Sequence, residues 1–161
     1  MDADPTIFGG PALEGPPGDG LIRSIEEELD VRLPAAYVAL SRIHNGGYLA
    51  RNGYPSPSPT TWADDHVGVT FIAAIGRTAR FSLCGETGSA FWVHEWGYPD
   101  VGVYFADCPS AGHDMIALDY RVPGEPSVVH VDQEASYRIT PIAPDFVTFV
   151  NGLVSVDEFA W

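Results

Sequence analysis

The chain has 161 residues, 45% of them hydrophobic and 12% aromatic, with a formal net charge of −14. That length and apolar content suit one domain with an ordinary core and exclude a disordered chain. Its 8 basic residues, all arginine, stand against 22 acidic ones, which excludes nucleic acid and anionic membrane as partners, because both are held through clustered Lys and Arg.

The opening Met1-Asp2-Ala3-Asp4-Pro5 has neither a basic n-region nor an apolar h-region, so no secretory signal is expected. No apolar run reaches the ~20 residues that cross a bilayer. Cys84 and Cys108 have no paired metal-type spacing and are expected as reduced thiols of a cytoplasmic protein. Residues 1–20 hold Gly9-Gly10-Pro11 and Gly15-Pro16-Pro17-Gly18 without periodicity, the pattern of a flexible Gly/Pro-rich leader. A single domain is expected over 21–161.

Asp19 is placed to cap a helix in which Ile22, Ile25 and Leu29 recur at helical spacing, with Glu26, Glu27 and Glu28 as an exposed acidic patch. Pro34 suits the first turn of a second helix, with Tyr37, Leu40, Ser41 and His44 on one side and Asn45-Gly46-Gly47 as its left-handed stop. Residues 48–54 read as a strand, 55–59 as a Pro-Ser loop. The loop Trp62-Ala63-Asp64-Asp65-His66 sets an aromatic beside an acidic pair, which suits either an interface anchor or a cover for the sheet edge.

Val67, Val69 and Phe71 alternate in a strand ending near Gly76, and residues 78–96 suggest a short strand and a helical turn around Phe91-Trp92. Val101, Val103 and Phe105 alternate, as do Ile116, Leu118 and Tyr120 after the turn at 109–112, then Val129 and Val131, then residues 137–142. Strands joined by short turns imply an antiparallel meander, since parallel pairs need long crossovers. Pro144 opens a closing helix whose Phe146, Phe149, Val150 and Leu153 form one apolar stripe for docking on one face of the sheet. The fold class is α+β: a mainly antiparallel twisted sheet with two N-terminal helices and one C-terminal helix packed on it. Trp161, at the chain's end, reads either as an aromatic contact or as disordered.

Cys108, His113, Asp114 and Asp119 are the ingredients of a nucleophilic site, with Cys108/His113/Asp119 as the enzyme reading. Asp107 beside the thiol would raise its pKa, and no helix N-terminus or Lys is in place to lower it, so no enzyme is expected. Asp107, Cys108, His113, Asp114, His130 and Asp132 include plausible metal ligands but match none of the closely spaced zinc patterns, so neither metal nor cofactor is expected. His94-Glu95 lacks the second His of a metalloprotease helix, and Gly85-Glu86-Thr87-Gly88-Ser89 has no Lys for phosphate and reads as turns.

The segment Leu29-Asp30-Val31-Arg32-Leu33-Pro34-Ala35-Ala36-Tyr37 leading to Asn45-Gly46-Gly47 resembles the opening signature of the SUKH superfamily. The later Trp96-Gly97-Tyr98-Pro99-Asp100-Val101-Gly102, Gly112-His113-Asp114, Asp119-Tyr120 and Glu125-Pro126-Ser127-Val128 resemble its strand region, in the same order. That superfamily includes yeast cell-wall-synthesis regulators and many bacterial immunity proteins. The resemblance implies helices on a mainly antiparallel sheet, no enzyme chemistry, and a protein partner: a toxin domain, often a nuclease, for the bacterial members, and scaffolding or regulatory partners for the eukaryotic ones. Leu33, Pro34, Asn45 and Gly46 transfer only as architecture. Combined with the charge, the expectation is an immunity protein binding a basic partner through Glu26, Glu27, Glu28, Asp64 and Asp65, with Trp62 as anchor. The alternative is a cytoplasmic scaffold or regulator with a non-toxin partner.

Overall fold

The computed structural model describes residues 1–159; Trp161 lies outside them. Helices α1 (Asp19–Leu29) and α2 (Ala35–Ile43) lead into short strands β1 (Gly47–Tyr48), β2 (Gly53–Pro55), β3 (His66–Gly68) and β4 (Phe71–Ile72). Then come α3 (Ser89–His94), the long strands β5 (Gly102–Asp107), β6 (Asp114–Asp119), β7 (Ser127–Asp132) and β8 (Arg138–Ala143), and α4 (Phe146–Gly152). Six strands form one sheet in the order β1-β4-β5-β6-β7-β8, every neighbouring pair antiparallel, and β2 and β3 form a separate ribbon. The class is α+β, and β5 to β8 are the expected meander.

Two expected strands are each broken in two. Residues 48–54 divide into β1 and β2, and the run from Val67 to Gly76 into β3 and β4, so each half belongs to a different sheet. Alternation is continuous through Val67, Val69 and Phe71, but a two-residue crossing at Val69-Thr70 moves the chain from the ribbon to the main sheet.

The alternating pattern of β5–β7 also misleads about water, because both faces are covered. On one face Val103, Phe105, Ile116, Leu118 and Val128 are buried with Tyr37 of α2 and Phe146 and Phe149 of α4. Tyr37 stacks on Phe146 at 4.7 Å, and Phe105 meets both α4 phenylalanines at 5.7 Å. Each such ring contributes roughly 1.5–3 kcal/mol through burial, enough to hold short helices that would not form alone. The opposite face buries Tyr104, Met115, Ala117, Val129 and Val131 beneath Tyr98 and Trp92. Tyr98 donates to the Gly112 carbonyl at 2.5 Å and Tyr137 to the Trp96 carbonyl at 2.5 Å, pinning this second cover.

Of residues 1–20, expected as a flexible leader, Asp19 and Gly20 begin α1 and the segment before them is laid against the domain. Ile7 is fully buried in the core, Phe8 bridges to Leu49 and Glu14 to Asn45. A few anchoring side chains at irregular spacing suffice for this, and they leave no period to detect. Gly18, not Asp19, occupies the N-cap of α1; Asp19 stands in the first turn and pairs with Arg42. At the end of α2 Asn45 is a buried clamp: its amide donates to the carbonyls of Gly15 and Ile75, and its Oδ1 accepts from Ile75 N at 2.8 Å. The left-handed residue is Gly46 (φ 71°), where a Cβ would come within 2.5 Å of the Ala74 nitrogen.

Candidate functional site

Between the β2–β3 ribbon with its 56–65 loop and the β5–β6 turn lies a cleft of about 570 Å³, lined by Trp62, His66, Val69, Thr70, Ser110 and Asp114 among others. The loop is held in shape by its own backbone, Ser56 N–H donating to Asp65 O at 2.9 Å and Thr60 N–H to Ala63 O at 2.9 Å. Thr61 N–H donates to Asp132 Oδ2 at 2.9 Å, tying the loop to β7. Pro and Ser at 55–59 fit an irregular path whose donors are met by side chains and turns. Trp62 stands at the mouth with 42% of its surface exposed, and Asp64 and Asp65 are exposed beside it. His66 is buried below, its Nδ1 2.9 Å from Asp65 Oδ1 and its ring stacked on Phe159.

Asp114 closes the cleft floor. Its Oδ2 is 2.7 Å from His130 Nε2, and its other oxygen takes the Ser110 hydroxyl. Ser110 Oγ in turn accepts the N–H groups of His113 and Asp114, fixing the turn. Register explains the meeting: Asp114 lies opposite Asp132 and Ile116 opposite His130, so two residues along β7 bring imidazole and carboxylate to one face. Cys108, just beyond β5, completes a buried trio with Asp114 and His130. Burial pushes the Cys108 thiol well above its usual range, and the Asp114 and Asp107 charges push it further. Asp107 is raised to about 6, mainly by burial, with the Asp114 charge adding to it.

The residues of the enzyme reading are not brought together. His113 turns away to Gln133 at 3.0 Å and Glu134 at 2.7 Å and meets Trp96 edge-on, while Asp119 pairs with Arg121 at 2.7 Å. Cys108 instead faces Asp114 and His130, as a buried neutral thiol beside carboxylate, which is the opposite of an activated nucleophile.

The acidic residues separate into two places. Glu26, Glu27 and Glu28 lie on α1, and none of them lines the cleft. Glu26 accepts the Leu33 N–H at 2.7 Å, so it shapes the α1–α2 turn. Glu28 pairs with Arg77 at 2.5 Å, and its carboxyl is held below the usual range by the Cys84 thiol and by Arg77. Cys84 is pushed up to about 12 by burial and by Glu28. Glu27 is exposed. Sequence reasoning named Asp114, His130 and Asp132 among six plausible ligands but set them aside, because their spacing is not local. The signal available was the polar pair His130 and Asp132 on one phase of an otherwise apolar strand.

Among the described residues no helix is long and apolar enough to cross a membrane. A model of the SMI1 / KNR4 family (SUKH-1) matches residues 16–152. No curated protein and no solved structure matches the chain.

Proposed function

The chain belongs to the SMI1 / KNR4 family (SUKH-1), a family of generally non-catalytic immunity and regulatory domains whose members interact with partner proteins such as toxins, and on that premise we propose that it is an immunity protein. It neutralises a cognate toxin, a basic nuclease domain being the partner its charge suits, without chemistry of its own. The family match carries this reading. The cleft supports it: an apolar concavity with a half-exposed Trp62 at its mouth and Asp64 and Asp65 beside it combines an aromatic anchor with a charged rim.

In this reading Trp62 enters a pocket of the toxin and sets the dissociation rate. Asp64 and Glu27 act at longer range, with Asp65, Glu26 and Glu28 contributing less because each already serves a local partner. A nuclease presents positive charge to substrate phosphates, so an acidic protein on that surface excludes the substrate. Steering of this kind raises encounter rates ~10- to 1000-fold and is screened as the Debye length falls to about 8 Å near physiological salt.

The test is co-expression with a toxin domain encoded beside the gene. Growth should be rescued, the two chains should co-purify, and the association rate should fall steeply with salt. Failure to protect against any neighbouring toxin domain, with stable binding to a housekeeping protein instead, would replace the immunity reading by that of a scaffold. Protection with an association rate flat in salt would leave immunity standing and remove the acidic steering.

A further inference from the structure

We propose that Cys108, Asp114 and His130 form a binding site for a divalent cation of the zinc type, reached through the cleft. The three come from adjacent strands of the main sheet: Cys108 follows β5, Asp114 opens β6 and His130 lies within β7. One donor atom from each, a sulfur, a carboxylate oxygen and a ring nitrogen, lies within 4.8 Å of the others. Zinc bonds of ~2.0–2.3 Å set tetrahedral ligand atoms roughly 3.3–3.8 Å apart, so side-chain rotations moving these atoms by about 1 Å close the set.

Burial makes the cluster more than an acidic surface patch. Cys108 is 1% exposed, Asp114 2% and His130 0%. Asp132, directly across from Asp114 on β7, is 2% exposed. Two polar atoms here, His130 Nδ1 and Asp132 Oδ1, are buried without a hydrogen-bond partner among the described residues. Buried polar groups are ordinarily satisfied, and such an excess of donors and acceptors around one point marks a place for a further polar species. Among the described residues, Asp114 meets the His130 imidazole, and no ion pair joins Asp114 or Asp132 to an arginine.

Two buried carboxylates and a thiol around one imidazole therefore lack positive charge, which a dication supplies. Thiolate plus imidazole selects zinc over calcium or magnesium, whose sites are built from oxygen. Binding replaces the thiol proton by the metal and releases it to solvent. Asp114 lines the cleft, so an ion entering there meets its carboxylate first and the two deeper ligands behind it. The site does not depend on the toxin reading.

Cobalt(II) is the probe that tests it. In the full-length Cys84→Ser protein Cys108 is the one remaining thiol, so any thiolate-to-cobalt absorption reports on it. One equivalent of cobalt should give that band with tetrahedral visible absorption, zinc should bleach both, and zinc should raise the melting temperature. Cys108→Ser should abolish the band, His130→Gln should weaken binding at least tenfold, and His113→Ala should leave it unchanged. An octahedral spectrum without a thiolate band overturns the proposal, as does binding that survives Cys108→Ser, the mark of ions gathering on the acidic surface. Should Cys108→Ser fail to fold, the Cys84→Ser spectrum decides alone.

Discussion

On α1 the Glu26 carboxylate accepts the Leu33 N–H and Glu28 meets Arg77, whereas Asp114 and Asp132 are buried within the sheet, Asp114 against the His130 imidazole, with Asp107 part-buried at the end of β5. The Cys84 thiol and an arginine keep the Glu28 carboxyl below its usual range, while burial lifts that of Asp107 to about 6. The same residue type thus stabilises one region and strains the other. A net charge of −14 is not a uniform coat. Some of its members are already committed to the fold, and those buried at the cleft are poorly placed to steer a partner at long range.

The largest effect expected from this contrast is at His130. Replacing it by Ala leaves the buried Asp114 without its imidazole, and breaking a buried pair costs about 3 kcal/mol or more. Urea unfolding should report that loss; a change under about 1 kcal/mol would mean Asp114 is hydrated and the two regions are alike.

Next comes Trp62→Ala, measured by dissociation of a complex with the cognate partner. A central aromatic anchor is worth about 2 kcal/mol, or roughly 30-fold in Kd, and the loss should appear in the off-rate. If the corresponding triple change of Glu26, Glu27 and Glu28 to Gln weakens binding more, the interface lies on α1 and not at the cleft.

Asp107 sharpens the comparison through pH. A carboxyl raised in the folded state contributes stability that is complete below the ordinary aspartate pKa of 3.8, and is lost as pH rises through about 6. Asp107→Asn keeps the neutral form throughout, so it should be on the order of 1–2 kcal/mol more stable than the wild type at about pH 8 and indistinguishable at about pH 3. Equal stability across that range would show that Asp107 is as solvated as the α1 glutamates.

The smallest effects divide neighbours on α1. Glu26→Ala removes the acceptor of the Leu33 N–H and should cost about 1 kcal/mol in thermal unfolding. Glu27→Ala should stay within about 0.5 kcal/mol, because Glu27 is exposed. Equal losses at both positions would mean that helix propensity, not the hydrogen bond, governs this turn.

The long meander β5–β8 and the closing helix were legible because period 2 and period 3.6 are written in their apolar residues, as in Val101–Val103–Phe105 and Phe146–Phe149–Val150–Leu153. The packed N-terminal segment was not, since Ile7 and Glu14 act singly and Gly and Pro around them look like linker. The loop bearing Trp62, Asp64 and Asp65 was visible in the sequence as an aromatic beside an acidic pair, but that it borders an apolar cleft was not.

What local order determined by itself was the α+β class, the order of the long strands β5–β8 with the helices before and after them, and the Leu33-Pro34…Asn45-Gly46 architecture by which the family is recognised. These rest on short-range preferences: alternation, turn chemistry and a left-handed glycine. Only the tertiary structure decided which acids are spent within the fold, that both sheet faces are covered, and that Cys108 meets Asp114 and His130 while His113 turns away. Those outcomes depend on strand register, where a shift of one residue moves a side chain to the opposite face, and register is fixed by contacts between residues far apart in the chain.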